Sequence, residues 1–234
     1  QLILQVTQSC NFRCKYCIYS ETSSARQRHH SAKHMTWDMA KRAVDFLWEH
    51  SIDSRMVSIS FYGGEPLLQA DAVAELLGGM HARGLHTCVD TAGNVPWEAF
   101  EQVLPVTDLF LYDVKAYSPQ THRQWTGVGN ERILENLRRL AARADIWIRI
   151  PFVPGVNTEQ IEDIGRFLTQ LPRVRRVEIL PYHTLGAEKS AELNRVQRQF
   201  PVPDAAACET AEQTLRMLGL PVTSGRAQKK EDKK

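Results

Sequence analysis

The chain has 234 residues, of which 43% are hydrophobic and 24% are charged, a size and composition typical of one globular domain with a sizeable core. Its 29 basic and 27 acidic residues give a formal net charge of +2, so nothing points to a nucleic-acid partner or an anionic membrane surface. We see no secretory signal and no apolar run of the roughly 18 residues that span a membrane, and we therefore expect a cytoplasmic protein. Because Gln1 lies in an apolar run and is not an initiator methionine, we also expect residues upstream of it.

Short apolar runs alternate with amphipathic stretches along the whole chain. The apolar runs predict six strands, at 2–7, 56–61, 86–90, 108–113, 146–152 and 174–180. The amphipathic stretches predict helices at 37–49, 70–83, 97–103, 131–143, 158–170 and 205–218. Thr36 is a candidate N-cap of the first helix and Gly84 ends the second. A last short strand is predicted at 221–223.

Strands that alternate with helices predict βαβ units and a parallel sheet. With right-handed crossovers this leaves two α/β architectures, a doubly wound open sheet or a curled, incomplete (β/α)6 barrel. In both, ligands bind at the carboxyl ends of the strands. We assign residues 1–224 to one domain and the polar residues 225–234 to a disordered tail.

The five cysteines are unevenly distributed, since Cys10, Cys14 and Cys17 form a C-x3-C-x2-C loop directly after the first strand. An odd number of clustered thiols argues against a disulfide framework and indicates a metal site. Three thiolates on one loop can hold a [4Fe–4S] cluster and leave one iron open. The remaining two cysteines, Cys88 and Cys208, are predicted to be small buried hydrophobes.

Three other interpretations of the cysteine loop compete with the cluster. A structural zinc site needs a fourth ligand, and His29 and His30 lie beyond any usual spacing. A redox pair would need only C-x2-C, and buried free thiols would not need to cluster. The spacing therefore favours the iron–sulfur cluster.

The order C-x3-C-x-aromatic-C after a first strand resembles the signature of radical S-adenosylmethionine (SAM) enzymes, with Tyr16 as the aromatic residue. The resemblance implies that the open iron binds SAM, and that reduction of the cluster yields a 5′-deoxyadenosyl radical which takes a hydrogen atom from a substrate. Tyr16 would lie near the adenine. The segment YGGEP at 62–66 resembles the GGE motif of that family, which implies that Gly63, Gly64 and Glu65 contact the amino group of SAM.

Later segments resemble the activating enzymes of glycyl-radical enzymes more specifically. They are HTCVDTAG at 86–93, LYDVK at 111–115, TGVGN at 126–130, WIR at 147–149, VPG at 153–155 and LPYHTLG at 180–186. This resemblance implies that Asp90 and Asp113 bind a monovalent cation and the SAM ribose, and that Lys115 contacts the SAM carboxylate. It also implies a monomer that acts on a glycyl-radical enzyme and receives electrons from flavodoxin or ferredoxin.

Two further residues are candidates for contact with the substrate. Arg149 is predicted to lie inside the barrel, where an unpaired charge is costly, so it needs an anionic partner such as a substrate carboxylate or backbone. His183 follows Pro-Tyr at the end of the sixth strand, where it is well placed to touch adenine or the substrate. The alternative for His183 is a structural histidine whose hydrogen bonds are satisfied.

The sequence also departs from the activating enzymes. Asn94 stands where an aromatic residue is common, the N-terminal Gly-Pro-Gly strand is absent, and the segment 10–66 looks more like peptide-modifying radical SAM maturases. The polar loop at 20–33, a candidate lid, is also unlike the family. We therefore expect hydrogen-atom abstraction from a partner's backbone glycine, with a side-chain-modifying maturase as the alternative. A non-catalytic metal-binding module would not explain motifs at the ends of successive strands.

Overall fold

The computed structural model describes residues 2–5, 7–17, 33, 35–50, 58–62, 64–184 and 200–223. Six strands form one sheet: β1 (Leu2–Gln5), β2 (Ser58–Tyr62), β3 (His86–Thr91), β4 (Leu109–Asp113), β5 (Ile146–Phe152) and β6 (Val174–Pro181). Each strand pairs in parallel with the next, so the order in the sheet is the order in the chain. The six predicted strands are confirmed within about two residues, although residues 6, 56 and 57 lie outside the described residues.

The sequential strand order decides between the two predicted architectures. A doubly wound sheet reverses its strand order at a switch point, whereas this sheet has no reversal. When every crossover is right-handed and leads to the next strand, all helices lie on one face and the sheet curls. The predicted incomplete barrel is therefore confirmed, and among the described residues no pairing joins β1 to β6.

The described helices are α1 (Trp37–Glu49), α2 (Ala70–His81), α3 (Trp97–Val103), α4 (Pro119–Thr126), α5 (Glu131–Ala141), α6 (Ile161–Leu168) and α7 (Ala205–Met217). Thr36 caps α1 as predicted, because its hydroxyl accepts the N–H of Met39 at 3.4 Å. The predicted helix at 158–170 begins as a 3₁₀ turn, Thr158–Gln160. The predicted strand at 221–223 is only one bridge, between Val222 and Val177. None of these helices combines the length and apolar character that crossing a bilayer requires.

Helix α4 was not predicted, because its polar sequence lacks a continuous apolar stripe. Its ends nevertheless carry clear local signals. The side chain of Ser118 accepts the N–H of Thr121 at 3.3 Å, Pro119 occupies the first turn, and Gly127 ends the helix with φ at 86°. These are the usual start and stop residues of a helix.

The alternation of burial along β5 separates the two faces of the sheet. Ile146, Ile148 and Ile150 are fully buried in the core beneath the helices. Arg149 lies between them in sequence and therefore faces the barrel interior. In the paired strands it stands beside Asp113 of β4 and Glu178 of β6. The register thus gives the barrel a polar interior next to the strand ends.

Candidate functional site

The cysteine loop, residues 8–17, follows β1 and contains one tight turn, in which the Cys17 N–H donates to the Cys14 carbonyl at 3.0 Å. Cys14 is buried, while Cys10 and Cys17 are half-buried, and all three thiols are free. Cys88 and Cys208 are both buried, as predicted for small hydrophobes.

The three thiols of the loop lie close enough to influence one another electrostatically. Burial raises the pKa of Cys10 and raises that of Cys14 to about 11, and the neighbouring Cys17 adds to both shifts. The positive charge of Lys115 opposes the shift in both residues. As thiolates, these residues therefore need further positive charge nearby, which a bound metal supplies.

The donor set fits a cluster better than a single metal ion. In the described parts of the chain, no three His, Cys, Asp or Glu residues are grouped around a position for one ion. A zinc ion would bring every sulfur to about 2.3 Å from one centre. Three cysteines of a [4Fe–4S] cluster each bind a different iron, so their sulfurs lie further apart. In the same loop the side-chain oxygen of Asn11 is buried and has no hydrogen-bond partner among the described residues. This oxygen could accept a hydrogen bond from a bound ligand.

The end of β2 approaches the cysteine loop very closely at Gly64. The Glu65 N–H donates to the Ser9 carbonyl at 2.8 Å. Gly64 has φ at 52°, and a Cβ atom there would lie only 1.9 Å from the Ser9 oxygen. Glycine is therefore required here by both backbone conformation and space. Gly63, the other predicted glycine, lies outside the described residues.

The carboxylate of Glu65 is fully buried and joins β2 to the end of β3. It accepts the hydroxyl of Thr91 at 2.7 Å and the N–H groups of Ala92 and Leu67 at 3.0 and 3.2 Å. Burial raises its pKa to about 7, although these three hydrogen bonds oppose the shift. The side chain predicted to meet the amino group of SAM is thus already bound by three protein donors.

Four charged side chains meet where the ends of β3 and β4 lie beside the middle of β5. Arg149 donates to Oδ1 of Asp113 at 3.0 and 2.8 Å, and it also donates to Oδ1 of Asp90. Lys115 donates to the other oxygen of Asp113 at 2.9 Å. The carboxylate of Asp113 therefore bridges two cations, while Asp90 shares one of them.

This arrangement separates the pKa values of the two carboxylates. Burial raises the pKa of Asp90 to about 6, since Arg149 offsets only part of the cost. Burial also acts on Asp113, but Lys115 and Arg149 outweigh it and hold the pKa at about 2. The pKa values of Lys115 and Arg149 are raised because Asp113 outweighs their burial. Near neutral pH the four groups form an almost charge-balanced unit.

The structure brings Asp90, Asp113, Lys115 and Arg149 together, but it changes the expected partner of Arg149. The sequence suggested an anion from the substrate, whereas the guanidinium is paired with Asp90 and Asp113. It occupies the space between the two carboxylates that the resemblance assigns to a monovalent cation. The chain itself therefore satisfies the charge of Arg149.

An aromatic cluster joins the cysteine loop to the end of β6. The ring of Phe200 makes edge contacts with Tyr16, Trp125 and Tyr182, with ring centroids 6.3, 5.5 and 5.7 Å apart. Sequence reasoning missed Phe200, because nothing local distinguishes it from an ordinary core residue. His183 lies next to this cluster in sequence, and its side chain is exposed. Leu185 and Gly186 of the same motif lie outside the described residues.

Residues 4–168, which include the cysteine loop and the strand ends through β5, match the family model of the radical SAM superfamily. The chain belongs to the radical SAM superfamily. Membership implies a [4Fe–4S] cluster and SAM, and the three cysteines fit this cluster.

Relatives within the radical SAM superfamily narrow the type of enzyme. The chain is 33% identical to the pyruvate formate-lyase 1-activating enzyme of Escherichia coli, over 78% of this chain and 74% of that one. It is 39% identical to the (2S)-3-sulfopropanediol dehydratase activating enzyme of Klebsiella oxytoca, over 58% of this chain but only 44% of that enzyme. A crystallised domain of a Bacteroides vulgatus pyruvate-formate lyase-activating enzyme has a TM-score of 0.62 and 32% identity, and covers 72% of this chain and 99% of that domain. The prediction of a radical SAM enzyme of the activating-enzyme type is therefore confirmed.

A first prediction concerns the close approach at Gly64. Replacing Gly64 by Ala should displace the cysteine loop and sharply lower the iron content after anaerobic reconstitution, because the new methyl group collides with Ser9. Gly84→Ala is a matched control, since Gly84 also has positive φ, at 74°, but nothing lies within 4 Å of the added Cβ. The control should lose only about 1–2 kcal/mol of stability and keep its iron. Normal iron content in Gly64→Ala would contradict the prediction.

A second prediction concerns the protonation of Glu65. Because its pKa rises from 4.5 to about 7 on folding, the protonated form is favoured in the folded chain. This contribution to stability is complete below pH 4.5 and is lost as the pH rises through 7, a change of about 3 kcal/mol. Urea unfolding of the cluster-free protein should show the stability of wild type falling relative to Glu65→Gln between pH 4 and 8. A relative rise would show that the three hydrogen bonds outweigh burial.

Proposed function

We propose that this radical SAM enzyme removes a hydrogen atom from a backbone glycine of a partner glycyl-radical enzyme. The observation that carries the proposal is the similarity to two activating enzymes, named for pyruvate formate-lyase and for sulfopropanediol dehydratase. The cysteine loop and the charged strand ends described above lie within the matched region. We place the reaction in the cytoplasm, where cysteine thiols such as those of Cys10, Cys14 and Cys17 stay reduced.

Cys10, Cys14 and Cys17 hold three irons of the cluster in this proposal. When bound there, the cluster and SAM would supply the radical chemistry that removes the hydrogen atom. Around them the protein contributes burial and charge. Cys14 is buried, and Tyr16 packs against Phe200, so these side chains limit access of water to the ligands.

The charged unit at the strand ends is proposed to bind SAM. Lys115 holds the SAM carboxylate, and Asp113 keeps the ammonium group in place through its 2.9 Å contact. Asp90 uses one oxygen for Arg149, and among the described residues no hydrogen bond or ion pair reaches its Oδ2. We assign this oxygen to the SAM ribose or to a monovalent cation. Because Glu65 is bound by three protein donors, we assign contact with the SAM amino group to the backbone around Gly64.

The open side of the barrel is proposed to admit the glycine loop of the partner as an extended chain. Glycine has no side chain to recognise, so specificity comes from contacts with the backbone that flanks it. His183, exposed at the end of β6, is the side chain that we assign to this contact. Arg149 contributes by bridging Asp90 and Asp113, and it acts on the substrate only through them.

Flavodoxin or ferredoxin is the proposed electron donor. Such proteins are acidic, and electron transfer requires a close approach to the cluster. Arg13, Lys15 and Arg123 are exposed around the cysteine loop. Among the described residues, the three cations form one ion pair, between Arg123 and Glu131 at 3.9 Å. A positive rim of this kind favours docking of an acidic partner.

The ligand assignment predicts a clear division among the five cysteines. Changing Cys10, Cys14 or Cys17 to Ala should abolish the cluster, because each supplies one iron ligand. Cys88→Ala and Cys208→Ala should keep the cluster, since both thiols are core residues. Iron analysis and electron paramagnetic resonance (EPR) of anaerobically reconstituted proteins would measure this. Full iron loading in Cys14→Ala would refute the assignment.

The substrate assignment predicts a separation between two activities. His183→Ala should greatly reduce glycyl-radical formation on a candidate partner enzyme while SAM binding and cleavage remain close to wild type. His50→Ala, which removes another exposed histidine directly after α1, should change neither. The glycyl-radical EPR doublet and the yield of 5′-deoxyadenosine are the two measurements.

Mass spectrometry of candidate precursor peptides tests the maturase alternative in the same experiment. A modified side chain on a short peptide, without a glycyl-radical signal on any partner enzyme, would favour the maturase. A glycyl-radical doublet would support the activating enzyme.

A further inference from the structure

The C-terminal turn of α4 lies directly against the cysteine loop. The carbonyl of Thr126 accepts the N–H of Arg13 at 2.8 Å, and the carbonyl of Trp125 accepts the N–H of Lys15 at 2.9 Å. Both carbonyls belong to the last turn of a helix, where the helix itself offers no partner. The loop in turn has no regular structure that would satisfy these N–H groups. The cysteine loop therefore supplies N–H donors to the helix, and the helix supplies carbonyl acceptors to the loop.

The side chain of His122 holds this helix turn together from inside. Its Nδ1 lies 2.7 Å from the Val128 carbonyl and 3.0 Å from the Thr126 hydroxyl. A carbonyl only accepts hydrogen bonds, so Nδ1 carries the proton. The Thr126 hydroxyl donates to the His122 carbonyl at 2.8 Å. Both side chains are buried, and the contacts close the turn around Gly127, whose φ is 86°.

The ring of His122 also contacts the loop itself. Phe12, which lies two residues from both Cys10 and Cys14, is buried and meets the His122 ring edge-to-face, with centroids 5.9 Å apart. The Phe12 ring has Lys115 nearby, with Nζ 5.8 Å from its centroid. His122 is thus linked to the cysteine loop through a side chain and through the helix turn that holds the backbone.

We infer that His122 is a positioning residue, which keeps the cysteine loop in its cluster-binding shape before the cluster is bound. It acts through Phe12 and through the α4 carbonyls of Trp125 and Thr126, and it touches neither cluster nor substrate. The inference rests on the proposed function, in which Cys10, Cys14 and Cys17 are the cluster ligands. It gives the TGVGN segment a role that the chemistry proposed above does not assign.

Amide hydrogen exchange of the cluster-free protein tests the inference by NMR. His122→Phe keeps an aromatic ring beside Phe12 but removes the Nδ1 donor, so the amides of Arg13 and Lys15 should exchange about tenfold faster. The amides of Phe110 and Ile146, which donate to the carbonyls of Asp145 and Arg173 at 3.1 and 3.0 Å, should change little. Reconstitution of this variant should also be slower, and its reduced cluster should give an altered EPR signal.

Two further variants separate the hydrogen bond from general damage to the fold. His122→Asn places an amide N–H near the position of Nδ1, so Arg13 and Lys15 should exchange at rates between those of wild type and His122→Phe. Thr126→Val removes the hydroxyl and should accelerate the same two amides. Val103→Ala, in the core on α3, is the control for general destabilisation and should not affect them selectively.

The inference is overturned if Arg13 and Lys15 keep wild-type exchange rates in both His122→Phe and Thr126→Val. It is also overturned if His122→Asn exchanges as fast as His122→Phe, since the donor would then be irrelevant. Iron analysis of wild-type protein tests the proposed function separately. Wild type without a cluster would refute the ligand assignment, whereas normal loading with unchanged amide exchange in the variants would refute only the role of His122.

Discussion

The polar interior of the barrel depends on the ion pairs that the carboxylate of Asp113 forms with Arg149 and Lys115. One of its oxygens accepts two hydrogen bonds from Arg149 and the other accepts one from Lys115. Buried cations without a partner are costly, and loss of this carboxylate would take away the ion-pair partner of Lys115 and leave Arg149 with Asp90 alone. The parallel register makes the bridge possible, because it sets Asp113 directly beside Arg149. The pairing of β4 with β5 therefore determines which charged side chains meet at the site.

The cysteine loop owes its shape to segments that are distant in sequence. The Glu65 N–H binds the Ser9 carbonyl, the Lys33 carbonyl accepts the N–H of Gln8 at 2.9 Å, and α4 binds the loop between its ligands. The cysteine motif itself adds the turn from Cys14 to Cys17 and the three thiol side chains. A C-x3-C-x2-C spacing without these supports would bring three thiols together only transiently. This dependence explains why the downstream motifs accompany the cysteines.

Features encoded by local sequence patterns were predictable, whereas side-chain contacts between different strands were not. The six strands follow from short apolar runs, and the position of Asp90, Asp113 and Lys115 at neighbouring strand ends follows from their order. The pairing of Arg149 with both aspartates depends on register and side-chain length, which periodicity does not contain. The same holds for Glu65, whose three donors come partly from another strand. Helix α4 was missed because its evidence lies in Ser118, Pro119 and Gly127, not in an apolar stripe.

An incomplete barrel has edge strands, and edge strands invite pairing with other molecules. Part of the β6 edge is occupied by the chain itself. The Val177 N–H donates to the Pro221 carbonyl at 2.9 Å, and the Thr223 N–H donates to the Val177 carbonyl at 3.0 Å. Arg175 adds an exposed positive charge to the same strand. An aggregating strand from another copy would have to displace the bridge and bury this charge. The barrel can therefore stay open at its side without offering β6 as a long template for self-association.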